Sequence, residues 1–311
     1  MLSVTHSTRV LLPESERATD TRGGWLSWIP LAMFPAAACF FRSRLVPWKF
    51  MWVLSVAIFF GFKCETWFRA RDARALASTS RNFAYLFLWP GMDAARFLAS
   101  GRSVARPPAQ EWIAPVLKTL AGILLVGFVV RRPLAADSLL EGWIGMLGIV
   151  LILHFGLFHL ISLAWRTAGV DAQPIMRSPA QSTSLSEFWG KRWNLGFRQL
   201  THTLVYEPIR RKAGPSLAIL AAFAVSGMIH DLVISFPARG GYGLPTAYFL
   251  VQGIGVLFEK SHFGRWLGIG NGSRGWAFTL LCAGGPAFWL FHPAFIHNVM
   301  LPFFVFIGRV I

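Results

Sequence analysis

The sequence has few charged residues for its length. Only 14% of its 311 residues are Asp, Glu, Lys or Arg, whereas a soluble domain usually carries about 25%. Hydrophobic residues make up 54% of the chain. This shortage of charge excludes an ordinary water-soluble domain and favours a chain that is surrounded largely by lipid.

Several functional signals are also absent. The three cysteines, Cys39, Cys64 and Cys282, form no CxxC pair and have no histidine pattern beside them, so they indicate neither a disulfide framework nor a metal site. The sequence contains no GxSxG, HExxH or Walker motif, which argues against an intramembrane protease and a P-loop enzyme. The polar stretch at residues 1–20 lacks the apolar region of a signal peptide, and we expect no cleaved leader.

Long apolar runs predict an all-α polytopic membrane protein with about eight transmembrane helices. A helix needs about 20 apolar residues to cross a bilayer, and runs near this length recur along the chain. The stretch FAYLFLWPGM, residues 83–92, is too short and predicts an interfacial or re-entrant helix. We expect one integral membrane domain over residues 1–311. The predicted spans are 25–41, 46–62, 113–130, 140–165, 216–236, 243–258, 276–291 and 294–310.

The excess of positive charge predicts an orientation in the membrane. The formal net charge is +16. If the termini are cytoplasmic and the spans alternate, the basic residues of 63–106 and of 166–212 both lie on the cytoplasmic side, as the positive-inside rule requires. We therefore expect a multi-pass protein with both termini in the cytoplasm and no nucleic-acid partner. Nothing in the sequence indicates an obligate protein partner.

The segment SLSEFWGKRWN, Ser184 to Asn194, is unusually aromatic and charged for a loop between apolar spans. Ser184 and Glu187 fit a capping box that opens a helix near Leu185, and Pro208 is expected to end that helix. The pattern predicts an amphipathic helix on the membrane surface, which could serve as an anchor and nothing more. The residues that share its apolar face are Trp189, Trp193, Phe197, Leu200 and Leu204.

One histidine, His230, lies inside a predicted span. Ionisable residues within a membrane are rare and usually mark functional sites, and an unperturbed imidazole pKa of about 6.5 suits a general base. Ser226 lies one helical turn earlier and could bond the ring. From this segment alone, a histidine that only packs and bonds a neighbouring carbonyl remains an open alternative.

The other histidines point to simpler roles. His154 and His159 are five residues apart and do not share a helix face well, so we expect no metal site there. His292 lies near a predicted helix end, where capping or an interfacial position explains it.

Three motifs together resemble the wax-synthase branch of the membrane-bound O-acyltransferase superfamily. The chain reads STSLSEFWGKRWN, then VYEPIR, then AVSGMIHD, and the branch typically reads TSLxDFWGRRWN, VYxP and SGxxH. Glu187 and Lys191 are conservative departures from that pattern. PGMD at 90–93 and PTAYFLVQGIGVLFEK at 245–260 resemble the flanking segments. The strong resemblance covers about residues 180–260.

The resemblance implies a helical bundle around a tunnel through the membrane and transfer of an acyl group from acyl-CoA to the hydroxyl of a lipophilic alcohol. The family's histidine and asparagine match His230 and Asn194. His230 would deprotonate the alcohol, and Asn194 would position the substrate or the developing oxyanion. We expect no cofactor beyond the acyl-CoA donor and no metal. The further substrate-binding residues that we expect are Trp189, Trp193, Arg192, Arg198, Tyr206 and Ser226.

A basic cytoplasmic loop suits the phosphates of CoA. The predicted span places His230 past its midpoint, on the side away from the cytoplasm, so Asn194 has to dip inward for the two residues to meet. The candidate phosphate ligands are Lys191, Arg192, Arg198, Arg210, Arg211 and Lys212.

Other functions stay open at this point. The same branch resemblance allows short-chain transfer, such as acetylation of a sterol, a terpenoid or another secondary-metabolite hydroxyl. A membrane transporter with an intramembrane histidine explains His230 but not the EFWGKRWN segment. A scaffold with a degenerate site is a third alternative. The sequence does not determine acyl chain length or the identity of the alcohol.

Overall fold

The structure is a computed structural model that describes residues 25–99, 103–132 and 138–310. Within these ranges the regular structure is entirely helical, with no strand. This confirms the all-α fold that the apolar runs predict. Residues 1–24, on which the expected position of the N-terminus partly depends, lie outside the described ranges.

Fourteen helical segments of the described residues are numbered here in chain order. The first seven are α1 Ile29–Phe40, α2 Pro47–Arg69, α3 Arg71–Leu76, α4 Thr79–Leu88, α5 Ala94–Leu98, α6 Gln110–Val130 and α7 Leu139–Thr167. The others are α8 Leu185–Glu187, α9 Leu195–Ala238, α10 Leu244–Lys260, α11 His262–Trp266, α12 Gly272–Gly284, α13 Ala287–Leu290 and α14 Pro293–Val310.

Five of these helices are long and apolar enough to cross a membrane, namely α2, α6, α7, α9 and α14. The chain is therefore an integral membrane protein. The other three predicted spans coincide with the shorter helices α1, α10 and α12, and the count of about eight crossings stays a prediction. Residues 83–92 fall largely in α4, which at 10 residues is too short to span a bilayer.

The longest helix, α9, is not uniform. Its turns His202–Tyr206 and Asp231–Ser235 are π-helical, and Gly214 interrupts it with a left-handed φ of 84°. The prediction that Pro208 ends the helix is wrong, because the chain continues through it. The wide π turn just before Pro208 accommodates a residue with no N–H to donate, and the break falls instead at Gly214, which precedes Pro215.

Helices α9 and α10 pack closely along each other. A Cβ atom added to Gly227 of α9 would lie 2.6 Å from the Cα atom of Thr246 of α10. Only glycine permits such an approach of two backbones. This contact brings His230, one turn after Gly227, against the face of α10.

A buried lysine joins α2 to the lobe formed by α4 and α5. The Lys63 ammonium donates to the carbonyl oxygen of Gly91 at 2.7 Å and lies 3.4 Å from the ring centroid of Tyr85. Its side chain is fully buried. The hydrogen bond and the cation–π contact offset part of the cost of burying the charge, and they hold Gly91 at the edge of the site described next.

Candidate active site

His230 lies in α9 directly before its second π turn, and one of its ring nitrogens is fixed by the backbone. Nδ1 is 2.7 Å from the carbonyl oxygen of Ser226. A carbonyl can only accept, so Nδ1 carries the proton, and in the neutral ring Nε2 holds the lone pair. Nε2 makes no hydrogen bond to the described residues. The ring is thus oriented as a proton acceptor.

Ser226 contacts the imidazole, as the spacing suggests, and it does so through its carbonyl oxygen. Its hydroxyl instead donates to the carbonyl of Ala222 at 2.8 Å. The ring of Phe249 on α10 packs against the imidazole with centroids 4.4 Å apart, and the ring of Phe197 stands perpendicular to it at 6.2 Å.

Asn194 occupies a left-handed conformation, with φ 39° and ψ 61°. Asparagine tolerates this region better than most residues. Its Oδ1 accepts from the backbone N–H of Phe197 at 3.2 Å and so caps the first turn of α9. Because that bond fixes the amide orientation, Nδ2 is left as a donor, and it bonds none of the residues in the described part of the chain.

The helix is interrupted at Asn194 because the backbone on both sides of this residue pairs with a neighbouring loop. The N–H of Leu195 donates to the carbonyl of Ile175 at 2.9 Å, and the N–H of Arg177 donates to the carbonyl of Arg192 at 2.8 Å. The N–H of Asn194 itself contacts the sulfur of Met176 at 3.2 Å. These bonds replace helical ones, so the predicted continuous amphipathic helix is in fact two segments with Asn194 at the break.

The start of α8 follows the predicted capping pattern. Ser184 Oγ accepts from the N–H of Glu187 at 3.0 Å, and Glu187 in return accepts from the N–H of Thr183 at 2.9 Å. The bond from Thr183, and next the guanidinium of Arg192, lower the pKa of the Glu187 carboxyl below its usual range. Arg192 also donates to the carbonyls of Arg177 and Ser178, so its charge is used to hold this loop.

A cavity of about 320 Å³ brings the two predicted catalytic residues together. Asn194 and His230 both line it, so the two residues meet at one cavity although the predicted span implied that they lie at different depths in the membrane. Arg192 was also predicted to bind substrate, but it is not among the described residues that line this cavity. Its guanidinium pairs with Glu187 instead. The predicted substrate-binding residues that do line the cavity are Trp189, Trp193, Arg198, Tyr206 and Ser226.

Trp189 is held in the cavity wall by a buried glutamine. Its Nε1–H donates to Oε1 of Gln252 at 3.3 Å, and Nε2 of Gln252 donates to the carbonyl of Cys282 at 2.6 Å. Gln252 is fully buried. The indole also packs against Phe223 and Phe249, with centroids 5.8 and 5.5 Å away.

Sequence analysis missed Gln252 and its neighbour Glu259. Glu259 is buried and accepts from the backbone N–H of Leu185 at 2.6 Å, and from that of Ser186 at 3.4 Å. It therefore caps α8 from another helix. The signal was present, since two polar residues seven apart in an apolar helix lie on the same face. Helix α10 thus positions α8 and Trp189, at the start of the EFWGKRWN segment.

Asp231, next to His230, supports the site without pointing into it. Its carboxylate accepts from the N–H of Gly243 at 2.8 Å, from the hydroxyl of Ser235 at 2.9 Å and from both the N–H, at 3.1 Å, and the hydroxyl of Thr246. These bonds cap the N-terminus of α10 and tie it to α9. As the sequence spacing indicates, Asp231 does not orient the imidazole.

A second, larger cavity of about 1090 Å³ adjoins the first. The two share Gly190, Arg198 and His202 in their walls. Four of the six predicted phosphate ligands line the larger cavity; Arg192 and Lys212 are not among its described lining residues. Its basic residues are Arg96, Arg177, Lys191, Arg198, Arg210 and Arg211. We call it the basic cavity, and we call the first the His230 cavity.

Some of the cations that line the basic cavity form ion pairs and others do not. Arg96 pairs with Asp171, and Arg210 and Arg211 pair with Glu207. Within the described ranges, Lys191 and Arg198 form no ion pair. These two cations, one of them at the junction of the cavities, are available to an anionic ligand.

The arrangement can support proton abstraction beside a polarised carbonyl group. His230, with a proton acceptor, and Asn194, with an amide donor, both line one cavity, and cations line the adjoining one. Over residues 25–99, 103–132 and 138–310 no three His, Cys, Asp or Glu side chains are gathered where they could bind a metal ion.

Comparison with known proteins finds a family whose model matches the segment around this site. Residues 172–251 match the Membrane bound O-acyl transferase family. The matched segment contains Asn194, His230 and the N-terminal part of α10, up to residue 251. This confirms the resemblance that the three motifs indicate.

The chain is also similar to plant proteins. It is 30% identical over 146 residues to the probable long-chain-alcohol O-fatty-acyltransferase 7 of Arabidopsis thaliana, which covers 42% of each chain. It is 31% identical over 106 residues to the long-chain-alcohol O-fatty-acyltransferase of Simmondsia chinensis, covering 31% of this chain and 30% of that one.

A third relative carries a different name. The chain is 31% identical over 138 residues to the acyl-CoA–sterol O-acyltransferase 1 of Arabidopsis thaliana, covering 40% of this chain and 39% of that one. The matches span less than half the length of each of these relatives.

Proposed function

We propose that this chain, which resembles the membrane-bound O-acyltransferase superfamily through its central segment, transfers an acyl group from acyl-CoA to the hydroxyl of a lipophilic alcohol. The family match and the names of the plant relatives support an enzyme of this reaction class. The arrangement of His230 and Asn194 around one cavity supports the assignment of the chemical step.

The proposed step begins at Nε2 of His230. This nitrogen takes the proton of the alcohol as its oxygen attacks the thioester carbonyl carbon. The C–O bond forms, the carbonyl oxygen takes up negative charge, and collapse of the adduct breaks the C–S bond. The imidazolium then returns its proton to the departing CoA thiolate. A fixed Nδ1–H bond to Ser226 keeps the correct nitrogen free throughout.

Asn194 is proposed to stabilise the oxyanion of that adduct. Its Oδ1 is held by the N–H of Phe197, which leaves Nδ2 as a rigid donor. A donor that is already oriented stabilises developing charge without reorganising during the reaction.

The donor is proposed to bind with its phosphates in the basic cavity. Lys191 and Arg198 lack acidic partners in the described part of the chain and suit phosphate groups. Because the two cavities adjoin, a thioester can reach His230 while the nucleotide stays among the cations. We place this cavity on the cytoplasmic side, where acyl-CoA is present.

The observation that carries the proposal is the meeting of His230 and Asn194 in the wall of one cavity that adjoins a basic one. Membranes containing the full chain should form ester from labelled hexadecanoyl-CoA and a long-chain alcohol. Sterols, terpenoid alcohols and acetyl-CoA offered in the same assay would identify the acceptor and the chain length. If no combination yields ester, a transporter becomes the better explanation for His230.

A further inference from the structure

Gly190 lies at the junction of the two cavities. Three consecutive residues pass from one cavity to the other: Trp189 lines only the His230 cavity, Gly190 lines both, and Lys191 lines only the basic cavity. Residues 188–192 form a π-helical turn, and Gly190 is the residue of this turn that lines both cavities, so it borders the passage between them.

The space beside Gly190 is open. A Cβ atom built on it meets no other atom within 4 Å. Its φ is not positive, so packing and backbone conformation both permit a larger residue here. Glycine in a helical turn also costs about 0.5–1 kcal/mol relative to alanine. Neither strain nor close packing explains the absence of a side chain at this position.

We infer that Gly190 keeps the passage open between the basic cavity and the His230 cavity, and that its missing side chain determines access of the thioester arm of the donor. This inference rests on the proposed function. A side chain at position 190 would project into the passage, because nothing in the wall receives it. The nucleotide part of the donor would still bind among the cations, and only its reactive end would fail to reach His230.

Gly190→Leu and Gly190→Ala in the full-length chain test this inference. We expect Gly190→Leu to lower kcat/KM for hexadecanoyl-CoA by about tenfold or more, since small misplacements at a reaction centre lower rates strongly. Gly190→Ala should have a smaller effect. Binding of adenosine 3′,5′-bisphosphate, the nucleotide portion of CoA, should change less than about twofold in both variants.

Gly127→Leu is the matched control. Gly127 also has open space at its Cβ position and lies in α6, away from both cavities. It should leave nucleotide binding and ester formation as in the wild type. Ester formation by Gly190→Leu at the wild-type rate would overturn the inference, and so would a parallel loss of nucleotide binding. If the wild type and Gly127→Leu form no ester at all, the proposed function fails instead.

Discussion

At the scale of single residues, Asn194 combines two tasks that are usually separate. Its oxygen caps α9, and the residue lines the His230 cavity, where its nitrogen is proposed to act as a donor. The left-handed backbone turns the residue out of the helical path. The side chain is therefore both a structural cap and the proposed oxyanion donor, so a simple deletion would mix the two effects.

Asn194→Asp separates these effects. Aspartate tolerates the left-handed conformation and caps helices as well as asparagine does, but an ionised carboxylate has no N–H to donate. We expect the variant to fold and to lose about 100-fold or more in kcat. Asn194→Ala should in addition lose about 1–2 kcal/mol of stability, seen as a lower thermal midpoint in detergent. Wild-type turnover by Asn194→Asp would exclude the donor role.

At the scale of elements, local signals predicted helix starts better than helix breaks. The Ser184 cap lies within four residues of its partners, and its position is readable from the sequence. The break at Trp193 and Asn194 depends on pairing with residues 175–177, which no local pattern contains. The break expected at Pro208 falls at Gly214 instead, because the π turn before Pro208 accommodates a residue that has no N–H to donate.

The junction of α9 and α10 depends on Asp231. Asp231→Asn should lower the free energy of unfolding by about 2 kcal/mol or more. The carboxylate oxygen that accepts from the N–H and the hydroxyl of Thr246 is replaced by an NH₂ group, which is itself a donor and cannot accept these bonds. Ester formation should fall with the stability, since this junction packs Phe249 against His230. The thermal midpoint of the purified protein measures the change.

Asp72→Asn is the control for the loss of one carboxylate. Asp72 is exposed on α3, and its replacement should change stability by less than about 1 kcal/mol. Equal midpoints for Asp231→Asn and the wild type would contradict the clamping role.

At the scale of the whole molecule, the apolar runs located the helices, and the motifs located Asn194 and His230. The resemblance implied that these two residues act in one site, but no local pattern indicated two adjoining cavities, because those depend on how α9 packs against α10. The shared face of Gln252 and Glu259 is readable from their spacing, but their partners Trp189 and Leu185 lie 63 and 74 positions away, and no local pattern identifies those partners.

The division of the interior into two cavities predicts which cations matter. Arg198→Gln should raise KM for acyl-CoA by about tenfold, because it removes from the basic cavity a cation that is proposed to bind phosphate and forms no ion pair with the described residues. Lys212→Gln removes one charge from the same basic segment, but Lys212 is not among the described residues that line the basic cavity, and it should leave KM near its original value. Equal KM changes for the two variants would mean that the cavity does not select the donor.

The most direct test of the central claim is ester formation by His230→Ala. The purified variant should keep the thermal midpoint and nucleotide binding of the wild type while its rate from acyl-CoA and alcohol falls about 100-fold or more. A folded His230→Ala variant that forms ester at the wild-type rate would contradict the assignment of His230 as the general base.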